Sequence, residues 1–144
     1  METRALSKEQ LAQLKELLTG FDIRQTCEIL FGLDQNIDVA IYANTKYNHE
    51  QMCQLRRGLI NGVDVSVYAD PRFNYQQMCL IRNALEDGLD VSIFADPKFD
   101  RFQMEEICCG LSRGIDVSSY ADPKIGWSEM QQKRKSIEQA AIND

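Results

Sequence analysis

The sequence has little of the chemistry on which most enzymes depend. It contains a single histidine, His49, and no glycine-rich phosphate loop, GxSxG, HExxH or CxxC motif. It also lacks an apolar run of the roughly 20 residues that a membrane-spanning helix needs. Its start, METRALSKEQ, has no apolar segment of a secretory signal. We therefore expect a non-enzymatic, cytoplasmic protein that does not associate with membranes.

Positive charge is scarce relative to negative charge. The 144 residues include 16 Lys and Arg against 22 Asp and Glu, which gives a formal net charge of −6. Because phosphate backbones and anionic lipids attract basic surfaces, we do not expect direct nucleic-acid binding. The five cysteines are odd in number and form no CxxC pair. This predicts free thiols in a reducing compartment, with no metal and no cofactor.

The most prominent feature of the sequence is a 26-residue repeat. Full copies cover 21–46, 47–72, 73–98 and 99–124, and a half copy covers 125–144. A period between about 20 and 50 residues is typical of stacked repeat proteins, in which neighbouring copies share a core. When the copies are aligned, all prolines occupy one position of the repeat, and all methionines except Met1 occupy another. These residues are Pro71, Pro97, Pro123, Met52, Met78, Met104 and Met130.

The first half of each copy is predicted to be a helix. In the third copy, Asn74 is a good N-cap residue and Gln77, three places later, completes a capping box. Ile81 and Leu85 then predict a buried face, and Gly88 predicts the end of the helix. A small residue recurs within these helices and indicates a close contact with another helix: Gly32, Gly58, Ala84 and Gly110.

The second half of each copy allows two interpretations. As a strand, it would turn alternate residues from Val63 inward, as in a βα solenoid of the leucine-rich-repeat type. As a short helix, it would begin at the N-cap Asp64 and bury Val65 and Tyr68 on one stripe. Every copy keeps the helical stripe, whereas the third inward strand position becomes Ser119. We therefore favour a helix of about five residues, ended by the Asp-Pro pair.

These elements predict an all-α fold. We expect a single domain, an α-solenoid of 26-residue repeats that each contain a helix and a short helix, with the βα solenoid as the alternative. Residues 1–20 are predicted to form an N-terminal capping helix. Residues 125–144 are predicted to form a C-terminal capping helix, because Lys133 stands where other copies have an apolar core residue.

The columns that vary between copies predict the functional surface. The first helical turn varies most, and it carries the mixture of aromatic residues and arginine that is typical of interface hot spots. Alternatively, these rings cover the boundaries between copies and complete the core. A line of arginines, Arg56, Arg82 and Arg134, either adds to this surface or forms a solvated ladder of ion pairs. We predict six partner-binding residues: Tyr75, Arg101, Phe102, Trp127, Arg56 and Arg82.

The motif QM-x-x-I-R-x-G-L-x-x-G-x-D-V-S-x-Y-A-D-P-x-F, carried with small departures by residues 51–73 and 77–99, resembles a tandem repeat of uncharacterised bacterial and phage proteins. The resemblance implies a helical repeat and brings no activity with it. We therefore predict a module that binds a protein partner. The alternative is a small acidic inhibitor from a phage or mobile element, acting on a nucleic-acid enzyme or a host defence system. It would present evenly spaced carboxylates: Asp38, Asp64, Asp90 and Asp116.

Overall fold

The computed structural model describes residues 5–144, and over this range the protein is all-α. No strand is present in that range, so the all-α prediction is confirmed and the βα alternative is wrong. Consecutive helices from α2 to α6 pack against one another, as in a helical solenoid. The six α-helices are α1 (Lys8–Leu18), α2 (Ile23–Asp34), α3 (His49–Ile60), α4 (Tyr75–Glu86), α5 (Arg101–Ser112) and α6 (Trp127–Asn143).

The predicted signals begin and end these helices. In α4, Asn74 Oδ1 accepts the backbone N–H of Gln77, and Gln77 Oε1 accepts the backbone N–H of Asn74, each at 2.8 Å. The same capping box opens α1, α2, α3 and α5, whereas Gly126 gives α6 no side-chain cap. The residues that terminate α2 to α5 adopt φ values between 58° and 74°, the left-handed region that favours glycine: Asn36, Gly62, Gly88 and Gly114.

The second half of each copy is a 3₁₀ helix or a turn, shorter than the predicted helix of about five residues. Asp64 caps it as expected, because its carboxylate accepts the backbone N–H of Ser66 at 3.1 Å. The N–H of Asp70 then bonds to the carbonyl of Tyr68 at 2.8 Å, so the chain turns away before five helical residues can form. Three copies contain a 3₁₀ helix of three residues and the fourth contains a turn: Val39–Ile41, Val65–Val67, Val91–Ile93 and 118–120.

The core is a continuous row of side chains that passes through all copies. The methionine column and the first isoleucine and leucine column are buried from Ile29 to Ile107. The second predicted core column is only partly buried, and Leu33 is 43% exposed. No residue of α1 is fully buried, although Leu18 packs against the core, so α1 covers Leu33 incompletely. An apolar groove of about 500 Å³ stays open there, lined in part by Leu14, Leu17 and Leu30.

The recurring small residue makes its close contact within its own copy. A Cβ atom at Gly58 would overlap Tyr68 Oη and would lie 2.7 Å from Val65 Cγ1. Tyr68 Oη donates a hydrogen bond to the carbonyl of Gln54 at 2.8 Å. The prediction of a close approach is therefore confirmed, but its partner is the short 3₁₀ segment rather than a neighbouring α-helix.

A buried glutamine joins each copy to the next. Gln77 Nε2 donates to the carbonyl of Phe99 at 2.6 Å, across the boundary between α4 and α5. Each acceptor lies just before the N-cap of the following helix, so the N-termini of α2 to α6 are neighbours and these helices run parallel. The equivalent bonds, all of 2.7 Å, join Gln25 to Tyr47, Gln51 to Phe73, and Gln103 to Ile125.

Candidate partner-binding surface

The first turns of α4, α5 and α6 carry the aromatic residues that the sequence singles out. Tyr75 and Trp127 are the first residues of α4 and α6, and Phe102 is the second residue of α5. Their exposed fractions are 38% for Tyr75, 46% for Trp127 and 50% for Phe102. Part of each ring therefore packs on the solenoid while a comparable part faces solvent. Each ring thus covers a boundary between copies with one part and is available to a partner with the other, as the two interpretations of the sequence expected.

Three of the predicted residues contact one another. The ring centroids of Phe102 and Trp127 lie 6.1 Å apart with an interplanar angle of 41°, within the range of favourable aromatic pairs. The guanidinium carbon of Arg101 lies 5.3 Å from the centroid of Phe102, in cation–π contact. We refer to Tyr75, Arg101, Phe102 and Trp127 as the first-turn surface.

A groove between α4 and α5 connects Tyr75 to Arg101. Tyr75 and Arg101 both line it, and its volume is about 260 Å³. Cys79, Leu80 and Glu105 contribute to its walls. Sequence reasoning missed these three residues. The available signal was helical spacing, because Cys79 and Glu105 lie four residues after Tyr75 and Arg101 and therefore on the same faces.

Arg101 is held by one intramolecular ion pair. Its Nε donates to Glu105 Oε1 at 3.0 Å, and the two side chains are 40% and 41% exposed. An exposed pair of this kind contributes only about 0.3–0.5 kcal/mol. The guanidinium of Arg101 therefore lies at the surface, between the groove and the ring of Phe102.

Arg56 and Arg82 do not belong to this surface. Arg56 Nε donates to Glu28 at 2.7 Å, and Arg82 Nε donates to Gln54 at 3.0 Å, each across the boundary between two copies. The predicted pairing with carboxylates is present, but these arginine side chains are only 14% and 8% exposed, so the pairs are largely buried rather than solvated. These two arginines contact neighbouring repeats, which leaves Tyr75, Arg101, Phe102 and Trp127 as the predicted residues of the exposed surface.

The boundary between α5 and α6 has the same kind of arginine bond, whereas the boundary between α4 and α5 has none. Arg134 Nε donates to Glu106 at 2.9 Å, whereas Cys108 and Leu80 occupy the equivalent positions between α4 and α5. Burial raises the pKa of the Cys108 thiol from 9.0 to about 12, so this cysteine is a neutral, unreactive side chain at ordinary pH.

The boundary arginines also hold nearby carboxylates in the ionised form. The pKa of Glu86 lies below its usual value because first Asn61 and then Arg82 donate hydrogen bonds to its carboxylate. The pKa of Glu138 is lowered in the same way, first by Arg113 and then by Arg134. Both carboxylates are committed to contacts within the protein.

The described part of the chain has neither a metal-binding cluster nor a helix that could cross a membrane. Residues 5–144 contain no cluster of three or more His, Cys, Asp or Glu side chains that could hold a metal ion. None of the helices in that range has both the length and the hydropathy needed to cross a bilayer.

No protein-family model matches the chain, and neither the curated proteins nor the solved structures include a significant match. The inference of function therefore rests on the chain's own residues and their geometry.

Proposed function

We propose that the protein is a non-enzymatic helical-repeat module that binds another protein through its first-turn surface. The observation that carries this proposal is the cluster formed by Arg101, Phe102 and Trp127, half exposed and continuous with the groove beside Tyr75. Tryptophan, tyrosine and arginine are the residues most enriched at energetic hot spots of protein interfaces.

The burial of other aromatic residues supports the proposal. Each repeat already has an aromatic residue at its start that packs in the core, and Phe73 and Phe99 are only 2% and 4% exposed. The rings of the first-turn surface are additional to that core. Large rings that face solvent together, with a cation between them, form a surface that gains free energy when a partner removes it from water.

The test is the triple variant Tyr75→Ala, Phe102→Ala and Trp127→Ala, used as bait for affinity capture from the native organism. We expect proteins recovered by the wild type to be lost, because the hot-spot area is gone. The matched control is Ile60→Ala, Ile93→Ala and Ile142→Ala, which removes three other exposed apolar side chains. If the triple variant has a wild-type circular dichroism spectrum and recovers the same proteins, this site is wrong.

The alternative proposal, an acidic inhibitor, has support from the aspartate ladder. Asp90 and Asp116 are exposed, and hydrogen bonds from Ser92 and Ser118 lower the pKa of their carboxyl groups. These groups therefore stay charged at regular spacing in mildly acidic solution. Each carboxylate also caps its own 3₁₀ segment or turn, which is a sufficient structural reason for its presence.

Salt dependence separates the two proposals. Between about 0.01 and 0.15 M salt the Debye length shortens from about 30 Å to about 8 Å. Binding through the aspartate ladder depends on several separated charges and should weaken strongly over this range, whereas binding through the first-turn surface depends on aromatic contacts with Arg101 as their only cation and should weaken less. The resemblance to a bacterial and phage repeat and the cytoplasmic location stay predictions, which co-purification from the native organism and cell fractionation would test.

A further inference from the structure

Arg101 differs from the other helical arginines that form ion pairs. In Arg82 and Arg134, an Nη atom donates to a glutamate four residues later, at 2.6 and 3.0 Å, while Nε donates across the repeat boundary. Arg101 has only the bond from Nε to Glu105. Within residues 5–144, its two Nη atoms have no hydrogen-bond partner.

The unused nitrogen atoms determine what Arg101 can bind. A guanidinium has five N–H donors in a planar fork, and two parallel donors match the two oxygens of a carboxylate. The ring of Phe102 lies against the guanidinium at 5.3 Å and restricts its orientation. Arg101 is thus a partly pre-organised cation whose Nη donors are not used by Glu105.

The groove next to Arg101 determines the size of the apolar side chain that a partner could insert there. Sites for small molecules usually have volumes of roughly 300–1,000 Å³, whereas the groove between α4 and α5 has about 260 Å³. This volume suits one large side chain better than a whole ligand. Tyr75 and Leu80 supply apolar walls, and Arg101 lies at the edge of the same groove.

The geometry points to a partner of defined chemistry: a linear protein segment with an acidic residue next to a large apolar residue. The acidic side chain pairs with the Nη atoms of Arg101, and the apolar side chain enters the groove beside Tyr75. This inference rests on the proposed function and specifies the partner of the same surface. A carboxylate is favoured over a nucleic-acid phosphate because the whole chain carries a net charge of −6, which repels a polyanion.

The experiment is a selection of random linear peptides displayed on phage, carried out against the purified full-length protein. We expect peptides enriched in Asp or Glu beside Leu, Phe or Trp. Arg101→Glu should weaken their binding on the order of tenfold or more, and selection against that variant should enrich Lys or Arg instead. Arg57→Glu is the matched control, because Arg57 is exposed on α3, outside the groove, and the charge change is the same.

Glu105→Gln gives a second, independent measurement. Glu105 competes with a partner carboxylate for the guanidinium, so its neutralisation should tighten the binding of the selected peptides. Arg101→Gln replaces Arg101→Glu if circular dichroism shows that the charge reversal unfolds the protein. Tighter binding to Glu105→Gln supports the inference, and unchanged or weaker binding opposes it.

Five further outcomes would overturn the inference, and they leave different parts of the proposed function in place. If the selected peptides lack acidic residues, or if Arg101→Glu and Arg57→Glu have equal effects, the partner does not use a carboxylate. The proposed binding surface still stands in either case if the triple alanine variant abolishes binding. If that variant binds the peptides normally, both proposals fail. Absence of any enriched peptide would exclude a linear segment. Tight binding of a dT oligonucleotide, lost in Arg101→Glu, would assign Arg101 to phosphate.

Discussion

At the scale of single residues, the space between the helix of a repeat and the segment that follows it holds either the methyl group of an alanine or the hydroxyl group of a tyrosine, but not both. Three copies pair glycine with tyrosine, as Gly58 does with Tyr68, whereas the third copy pairs Ala84 with Phe94. The glycine costs about 1 kcal/mol of helix propensity, and the hydrogen bond from Tyr68 to the Gln54 carbonyl offsets a similar amount. The two residue types therefore change together.

The substitution Gly58→Ala tests this coupling. We expect it to lower the free energy of unfolding by about 1–3 kcal/mol, because the new methyl group overlaps the tyrosine hydroxyl. Tyr68→Phe alone should cost about 1 kcal/mol through the lost hydrogen bond. The double variant recreates the alanine and phenylalanine of the third copy and should be clearly more stable than Gly58→Ala. Urea unfolding measures all three, and strictly additive losses would contradict the shared-space explanation.

This contact also shows the limit of what could be predicted from single residues. The alignment of copies reveals that a column admits only small side chains, because each helix has glycine or alanine there. It does not reveal which group fills the space, since the tyrosine lies ten residues later, as in Gly58 and Tyr68, and could have faced either way. The identity of the neighbour depends on the path of the 3₁₀ segment.

At the scale of elements, one glutamine side chain both caps a helix and fixes the next. Gln77 Oε1 closes the capping box of α4 while its Nε2 holds the carbonyl in front of α5. The first bond was predictable because it joins residues three apart. The second joins residues 22 apart, and its acceptor is a backbone carbonyl that carries no signal in the sequence. In α6 the same position is Glu129, a carboxylate without a donor.

The variant Gln77→Glu keeps the capping function and removes the donor. We expect a loss of about 2 kcal/mol or more, because a buried carboxylate would then face the carbonyl of Phe99 without a proton between them. Glu129→Gln, the reverse change at an exposed position, should alter the free energy of unfolding by no more than about 0.5 kcal/mol. Chemical denaturation compares the two, and an equally mild effect at both positions would refute the role given to the amide.

At the scale of the whole molecule, each boundary between neighbouring repeats has a pair of facing residues that lie 28 positions apart in the sequence. The pairs are arginine with an acceptor at three boundaries, and cysteine with leucine at the boundary between α4 and α5. The sequence showed the line of arginines and its interruption by Cys108. It did not show the acceptors, because each lies two residues outside the column that a 26-residue period aligns.

Removal of whole repeats tests the matching. Deletion of 47–72 brings Glu28 against Arg82 and preserves an ion pair, whereas deletion of 73–98 brings Gln54 against Cys108 and leaves a buried amide without its partner. We expect the first deletion to be more stable by about 1–3 kcal/mol. Cys108→Arg in the second should recover part of the difference. Thermal and urea unfolding provide the comparison, and equal stability of the two deletions would argue against pairwise matching.

The candidate surface was less predictable than the fold. Four of the six proposed residues lie together at the start of α4 to α6, because hydrophobic and capping patterns locate the first turn reliably. Arg56 and Arg82 lie apart from them at the boundaries between copies, because variability between copies marks boundary contacts as well as outer ones. A residue type that must suit its contact in the adjacent repeat differs between copies as much as one that faces solvent.

The parallel arrangement of α2 to α6 also polarises the molecule. Antiparallel helices cancel their macrodipoles, but here five helices direct their N-termini to one edge, each with a partial charge of about +0.5. Asp22 and Asp100 neutralise this charge as the N-cap residues of α2 and α5, and Glu50 and Glu129 oppose it in the first turns of α3 and α6, whereas α4 has no acidic residue in its first turn. A chain that is acidic overall thus keeps an uncompensated helix N-terminus at this edge, at the start of α4 and next to Tyr75. In low salt, the field of that edge orients an approaching anion before any side chain touches it.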